Sequence, residues 1–423
     1  MEIFRDLPMD LVEDEILTHV PARNLKGLGS TCKRWNRLFY GDRRFATKHA
    51  EKAAKQFVVL MLTRACRICP TIVDLDGKIP SFEVQSELSL VDPKYPASQF
   101  GVDIPFHSEF DYGAARVDVD AVLHYEFKYP AAEFHVGAVC HCDGLLLCTS
   151  ADESRFVVGN PFTGETKWFE PSYRDRKERF FVLGYGKDKS YKVLSFYHYE
   201  KDYEIYEFGS DTWRVVDEIL APGWELGYSS YQVSLKGSTY WFAEDETRTQ
   251  TRWSLVKFDY SAEKCVPVAL PYESKDFEIR SLSVVKEEKL SVLLQREDAS
   301  KTQVWVTNKI DDENGSSPVV SWSMVLALDL GRDLFWSNSG TFLLDEEKKV
   351  VMTTARFLDL EDEDETETET KDRLCIVGED NQVTEVPFGL VETDAFGAAI
   401  FNYVPSLVQF ERAGGERERA GDM

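Results

Sequence analysis

Three observations carry the fold class that the sequence predicts. Apolar residues recur at helical spacing between Leu7 and Lys55, and from Phe57 onward the texture changes. Short β-branched and aromatic runs then alternate with Gly, Asp, Asn and Ser clusters, the pattern of antiparallel strands. Within that texture a unit of strands and tight turns ends on a bulky or apolar slot residue, and the slots are 45, 52 and 57 positions apart. Four-stranded propeller blades repeat at about 40–50 residues. Together these features predict an α+β multidomain chain: a helical domain over 1–56, an all-β domain over 57–410 built as a β-propeller, and an unfolded tail over 411–423. A β-sandwich with hairpins of similar length is the alternative.

The helices come first. Leu11, Val12, Ile16, Leu17 and Val20 form an apolar stripe that Pro21 ends, because proline offers no N–H and clashes with the preceding turn. A second short helix is expected from about Asn24. A third carries Cys32, Trp35, Leu38 and Phe39, and a fourth runs from Arg43 to Lys55 with Phe45, His49 and Ala53 at helical spacing. A block of about fifty residues is too small to bury all of its apolar side chains. Part of its surface is therefore expected to meet a partner.

The strands follow as VVLML at 58–62, LLLC at 145–148, FVV at 156–158, YKVLSFY at 191–197 and YEIYEF at 203–208. YWFA at 240–243, LSVLL at 290–294, VWV at 304–306, VVMTTA at 350–355 and LCIVG at 374–378 continue the series. The slot residues of four units are Trp168, Trp213, Cys265 and Trp322. A fifth, degenerate unit spans 350–386, and 57–135 can add another blade. No long helical patterns alternate with the strands, which argues against a parallel α/β sheet. A lone four-stranded meander cannot cover both faces, and packing blades around an axis does so.

Charge separates the two parts. The 423 residues include 49 Lys and Arg against 74 Asp and Glu, a net charge of −25. Residues 1–56 nevertheless carry +3, leaving −28 on the remainder. Such acidity argues against nucleic acid or an anionic membrane as the partner. The opening Met-Glu-Ile-Phe-Arg-Asp lacks the pattern of a signal peptide, and no apolar run reaches the ~18 residues of a membrane span. Eight cysteines without a disulfide spacing fit reduced thiols, so a cytoplasmic or nuclear location is expected. The segment 359–370, with eight acids in twelve residues, reads as a solvated loop.

At residues 7–39 a resemblance enters. LPMDLVEDEILTHVP followed by NLKGLGSTCKRWNRLF resembles the F-box of plant F-box proteins, with the Leu-Pro opening, the Ile-Leu-x-x-Val-Pro stop and the Cys-Lys-x-Trp-Asn helix in family order. HCDGLLLC, NPFTGETKW, VSLKGSTYWFA, VWVTNKI and NYVPSLVQF look like the F-box-associated type 1 domain, often described as kelch-like. The resemblance implies a non-catalytic substrate receptor of an SCF-type ubiquitin ligase. Its F-box would bind a Skp-family adaptor, and through it cullin, while the β-domain recruits a target protein. The positions that match the adaptor-binding motif are Leu7, Pro8, Leu11, Ile16, Leu17, Val20, Pro21, Leu25, Leu28, Cys32, Trp35 and Leu38.

One departure from the family pattern has a geometric consequence. The common motif reads Asp-Leu-Val-Glu-Glu-Ile-Leu, whereas Asp10 to Leu17 holds one extra residue. An insertion rotates a regular helix by about 100°, so Leu11 and Ile16 cannot share one regular face. Either the helix takes a one-residue bulge, or Leu7–Val12 docks as an extended lead-in. Gly27 and Gly29 weaken the second helix by roughly 1 kcal/mol each. Weakened adaptor binding is the expectation.

Motifs for catalysis are sparse. Gly184-Tyr-Gly186 lacks the third glycine of a phosphate loop and reads as a strand-end turn. Cys66 and Cys69 with Cys140 and Cys142 offer zinc-type ligands, but Cys140, Cys142 and Cys148 share strand parity and fit a sheet core better. His141 is expected to be structural, and Trp168, Trp213, Trp241 and Trp322 to pack blades. No cofactor or metal is assigned. The remaining alternatives are a propeller hydrolase, a glycan-binding protein and an F-box scaffold outside ubiquitination.

Overall fold

The computed structural model describes residues 7–52, 58–62, 67–75, 81–84, 88, 90, 101–104, 127–130, 134–150, 153–172, 179–197, 202–226, 232–245, 253–271, 277–296, 301–310, 320–329, 341–358, 370–387 and 399–408. The acidic run 359–369, Ala53–Lys55 of the expected fourth helix, Cys66 and the tail 411–423 lie outside them.

The β-region is a six-bladed propeller. Blade 2 shows the plan: strands Val136–Cys142, Leu145–Ser150, Phe156–Gly159 and Thr166–Phe169 form an antiparallel meander. Blades 3 to 6 repeat it over 179–216, 224–268, 277–328 and 342–387. In blade 4 the inner position is split into Trp224–Leu226 and Val233–Leu235, which both pair with Ser238–Asp245. The 57–135 stretch does add a blade, with help from the far end of the chain. Blade 1 joins Val58–Leu62, Ile68–Asp74 and Ser81–Val84 to an inner strand, Ala399–Tyr403, with Val58 opposite Tyr403. Closing the ring with strands from both parts of the chain removes the open edge that a single sheet would leave. A small extra sheet pairs Gly101–Ile104 with Phe127–Pro130.

The sandwich alternative fails on how the core is divided. Each pair of neighbouring blades shares its own cluster, including Ile68 with Val136, Leu147 with Leu183, Ile205 with Trp241, Phe242 with Leu294, Val304 with Phe342, and Leu343 with Ile400. A blade is thus buried on both faces. Leu145 and Leu147 pack toward blade 3 while Leu146 and Cys148 pack toward blade 1. That is why such strands are written as continuous apolar runs instead of alternating ones. The same register corrects one expectation: Cys148 lies opposite Val139, not Cys140 or Cys142, and so faces the other interface. Parity counted through a turn inverts when the paired positions sum to an odd number.

The aromatic slots pack blades as expected. Trp213 and Trp322, on outer strands, donate their indole N–H groups to the carbonyls of Glu170 and Ala269, one residue past the outer strand of the preceding blade. Trp241 is buried and stacked between Phe196 and Phe258.

The two ends of the propeller differ. First-to-second and third-to-fourth strand connections are mostly tight turns, with left-handed residues such as Asp143, Lys189, Asp211, Glu263, Glu287, Lys349 and Asn381. The helical block sits at this end. Among the described residues four α-helices build it, α1 (Met9–Leu11), α2 (Ala22–Gly29), α3 (Lys33–Gly41) and α4 (Arg43–Lys52). Cys32 caps α3, its sulfur accepting from the Trp35 N–H at 3.5 Å. Asp42 caps α4 by accepting from the N–H groups of Arg44 and Phe45. Helix α2 forms despite its glycines, and Gly29 serves a close approach: a Cβ there would lie 3.2 Å from the rings of both Phe39 and Tyr40.

Candidate functional site

The segment between Pro8 and Pro21 holds the inserted residue, and a π-turn absorbs it. After α1, residues Val12–Ile16 are π-helical, so the Leu17 N–H reaches back five residues to the Val12 carbonyl. A 3₁₀ turn, Leu17–His19, follows and hands over to Pro21. Of the two outcomes expected for the insertion, the bulge is the one adopted. One wide turn places Val12 and Leu17 on the same inward side, 0% and 1% exposed. The insertion therefore leaves the inner contacts intact, and ahead of it Leu7, Met9 and Leu11 lie outward, 37%, 37% and 43% exposed.

Three successive acids fan out from this turn to three different cations. Glu13 accepts from Arg34 at 2.5 and 2.8 Å, Asp14 from Lys48 at 2.7 Å, and Glu15 from Lys52 at 3.4 Å. The Lys48 ammonium holds the Asp14 carboxyl below its usual range, and Glu13 raises the Arg34 guanidinium further. These pairs are exposed and each contributes little alone. Together they tie the π-turn to α3 and α4.

Beneath it lies one aromatic core. Trp35, Phe39 and Phe45 run in series with ring centroids 6.5 and 5.4 Å apart, and Phe45 stacks on His49 at 5.9 Å. His49 is buried, its Nε2 2.8 Å from the Val20 carbonyl oxygen, and burial lowers its pKa. The motif positions thus divide by role. Leu7, Pro8, Leu11 and Cys32 are exposed; Ile16, Val20, Pro21, Leu28 and Leu38 are half-buried; Leu17, Leu25 and Trp35 are interior. The last three shape the block from within. Met9 joins the exposed group and was not among the positions read from the motif.

Two members of this core come from the propeller. Leu407, 1% exposed, and half-buried Phe162 pack with Val12, Leu25 and Phe39. Phe162 sits in a turn of blade 2, and Leu407 follows the closing strand of blade 1. The segment between is fixed by Asn160, whose amide donates to the carbonyls of Ser406 and Val408 at 3.0 and 2.9 Å. Ser406 donates to the Asp143 carbonyl and Tyr403 to that of Gly144. Gly144, at φ +80°, is required there, since a Cβ would come within 2.4 Å of the Ser406 oxygen. The two parts therefore do not have separate cores: the block completes its core with propeller residues. Val404-Pro-Ser-Leu-Val408 is an apolar run past the last strand, which marks it as packed but does not say against what.

The remaining candidates fall inside the fold. Cys140 and Cys142 share the interface between blades 2 and 3, whereas Cys69 is in blade 1. Burial pushes the Cys140 thiol up to about 12 and drops His141 to about 4, and His141 stacks on Phe401 at 6.1 Å.

Comparison with known proteins agrees with this architecture. Residues 113–410 match the model of the F-box associated beta propeller domain. The F-box protein ETP2 of Arabidopsis thaliana is 50% identical over 429 residues, covering 99% of each chain. An F-box/kelch-repeat protein of the same plant is 47% identical over 425 residues (98% of each chain), and the F-box protein ETP1 is 43% identical over 446 (99% of each). The matched domain begins well after the helical block, and blade 1 starts earlier still, at Val58. With its helical block, its six blades and relatives of matching length, the chain belongs to the plant F-box proteins that carry an F-box-associated β-propeller domain.

Proposed function

We propose that the chain is the non-catalytic substrate-recognition subunit of an SCF-type cullin ubiquitin ligase, working in the cytoplasm or nucleus. The observation that carries this reading is the exposed apolar lip of Leu7, Pro8, Met9 and Leu11 on a block whose other described large apolar residues are buried or half-buried. Solvating such a lip is unfavourable, and a Skp-family adaptor that covers it would remove it from water. The adaptor would bring cullin, and the propeller would hold the target protein. The receptor would act by proximity, raising the effective concentration of target near the conjugating enzyme.

Target recognition belongs to the end of the propeller away from the block. Three connections are candidates to set specificity, 173–178, 244–251 and 311–317, and the first two join strands at that far end. The third, 311–317, joins the third and fourth strands of blade 5 and so leaves from the end that carries the block. Apart from Glu244 and Asp245, which end a strand of blade 4, these connections lie outside the described residues. With −28 beyond residue 56, a basic or mixed-charge target patch is favoured over an acidic one.

Co-purification of the full chain with a Skp-family adaptor tests the reading. Leu7→Ala with Pro8→Ala is expected to abolish capture and leave the thermal melt unchanged, because both side chains are exposed. If the wild-type chain captures no adaptor, the proposal is lost. The same double variant, used as bait in proximity labelling, should retain target proteins that would otherwise be degraded.

A further inference from the structure

Beside the apolar lip, the helical block carries a groove of about 800 Å³ between α3 and the start of α4. Lys33, Arg34, Arg37 and Arg44 line it together with Leu38, and Glu13 and Asp42 are its acids. Both acids are already engaged. Glu13 receives the two-pronged bond from Arg34, and the Asp42 Oδ1 accepts the backbone N–H groups that open α4. Lys33, Arg37 and Arg44 are exposed and form no ion pair among the described residues. Three cations therefore converge in one concavity with no ion pair of their own among the described residues, in the N-terminal part whose net charge is positive. Arg44 feels the Asp14 carboxylate only at longer range. Everything beyond it carries −28, which repels an acidic partner from the propeller and directs it here. Glu13 on its wall follows Leu11 by two residues, so one short segment carries both the lip and an edge of the groove.

We propose that this groove receives an acidic segment of the adaptor whose apolar surface covers the Leu7–Leu11 lip. Carboxylates of that segment pair with Arg37, Arg44 and Lys33. The planar forks of the two arginines suit two-pronged carboxylate bonds, and Leu38 offers apolar contact to the stems between them. The inference rests on the receptor reading and deepens it: the lip supplies apolar burial, and the groove supplies orientation and encounter rate. An interface so divided loses affinity with salt, because exposed charge pairs are screened.

The test titrates purified Skp-family adaptor into the full chain at low and high NaCl. It compares wild type, Arg37→Ala with Arg44→Ala, and Arg37→Lys with Arg44→Lys, each with a thermal melt as the folding control. Wild-type affinity is expected to fall about tenfold from low to high salt, and the alanine pair to bind about tenfold more weakly at low salt with a nearly flat salt response. The lysine pair should keep most of the salt response while losing part of the affinity. Equal affinity and equal salt response in wild type and the alanine pair would overturn the groove assignment and leave the receptor reading standing. No wild-type binding at either salt overturns the receptor reading and the groove with it. If the alanine pair instead abolishes a concentration-dependent self-association seen by sedimentation, the occupant is an acidic surface of a second copy, and the adaptor assignment fails.

Discussion

The propeller and the helical block bury apolar surface in different ways. The propeller solves one problem six times: each sheet covers both faces against its neighbours, and the ring closes through Ala399–Tyr403. The block has a single small core and completes it with Leu407 and Phe162 from the other region. Autonomy here follows from closure, and size alone denies it to the block. The difference also serves the proposed function. A block that borrows its core is held at a fixed place on the tight-turn end, which would set the distance from adaptor to target.

The strongest way to break this comparison is to disturb one blade interface without touching the block. At Gly184 a Cβ would stand 2.0 Å from the Tyr260 ring and 2.4 Å from the Gly237 carbonyl oxygen. Neither can yield cheaply. Tyr260 is held by a 2.9 Å hydrogen bond to Thr239, and the Gly237 carbonyl accepts the Tyr185 N–H at 3.0 Å. Gly184→Ala is expected to cost more than about 4 kcal/mol, enough to remove cooperative folding. A variant that melts close to the wild-type temperature would show that blade docking is softer than the contacts require.

Next in size is the borrowed residue. Leu407→Ala leaves a cavity among Val12, Leu25 and Phe39 and is expected to cost about 3 kcal/mol. The loss should fall on the block alone. Amide exchange should quicken across α2 to α4 while the strands of blades 3 to 5 keep their protection. Equal loosening of blades and block would erase the distinction drawn above, and unchanged protection in α2 to α4 would show that the block's core is its own.

How legible each region was follows from the same contrast. The blades were readable because their chemistry repeats: LLLC, YKVLSFY and LSVLL each carry their burial in local sequence, and the slots Trp168, Trp213 and Trp322 mark outer strands. What escaped was long-range. Nothing local in Ala399–Tyr403 says that it pairs with Val58–Leu62, and nothing in Leu407 says that it enters a core more than 350 positions upstream. The F-box motif named twelve positions but could not sort outward Leu11 from inward Leu17. That division is set by the π-turn, whose wider hydrogen bond shifts the phase of every residue after Val12. The connections 173–178 and 311–317 leave from opposite ends because strand order, not loop length, decides where a connection emerges.

Acid should separate the regions further. His141 and His49 are both held neutral by burial, with folded pKa values below the ordinary 6.5, about 4 for His141. Below pH 6.5 the unfolded chain binds protons that the folded chain refuses, so stability is lost as pH falls, for His141 down to about 4. His141 lies between the inner strands of blades 1 and 2, beside Phe401, whereas His49 is in the block. His141→Asn should therefore reduce the fall in propeller melting temperature between pH 7 and pH 5. A similar fall in wild type and variant would remove His141 as a cause.

The smallest effect tests whether the blades are as alike as the repeat suggests. In blades 3 and 5 the slot tryptophan reaches back to the preceding blade through its side chain, Trp213 to Glu170 and Trp322 to Ala269 at 2.9 and 2.7 Å. Blade 4 has Cys265 in that slot, and there the backbone N–H makes the link, donating to the Ile219 carbonyl at 2.8 Å. A main-chain link survives substitution and a side-chain link does not. Trp322→Phe keeps the ring against the interface but removes the donor, and should cost about 1 kcal/mol. Cys265→Ala leaves its link in place and loses only the packing of one half-buried sulfur, so it should cost less. If denaturant titration ranks the two the other way, the indole N–H bond contributes nothing net. The outer strands are then held by ring packing, which would make the slot's aromatic character, and not its donor, the feature that the repeat preserves.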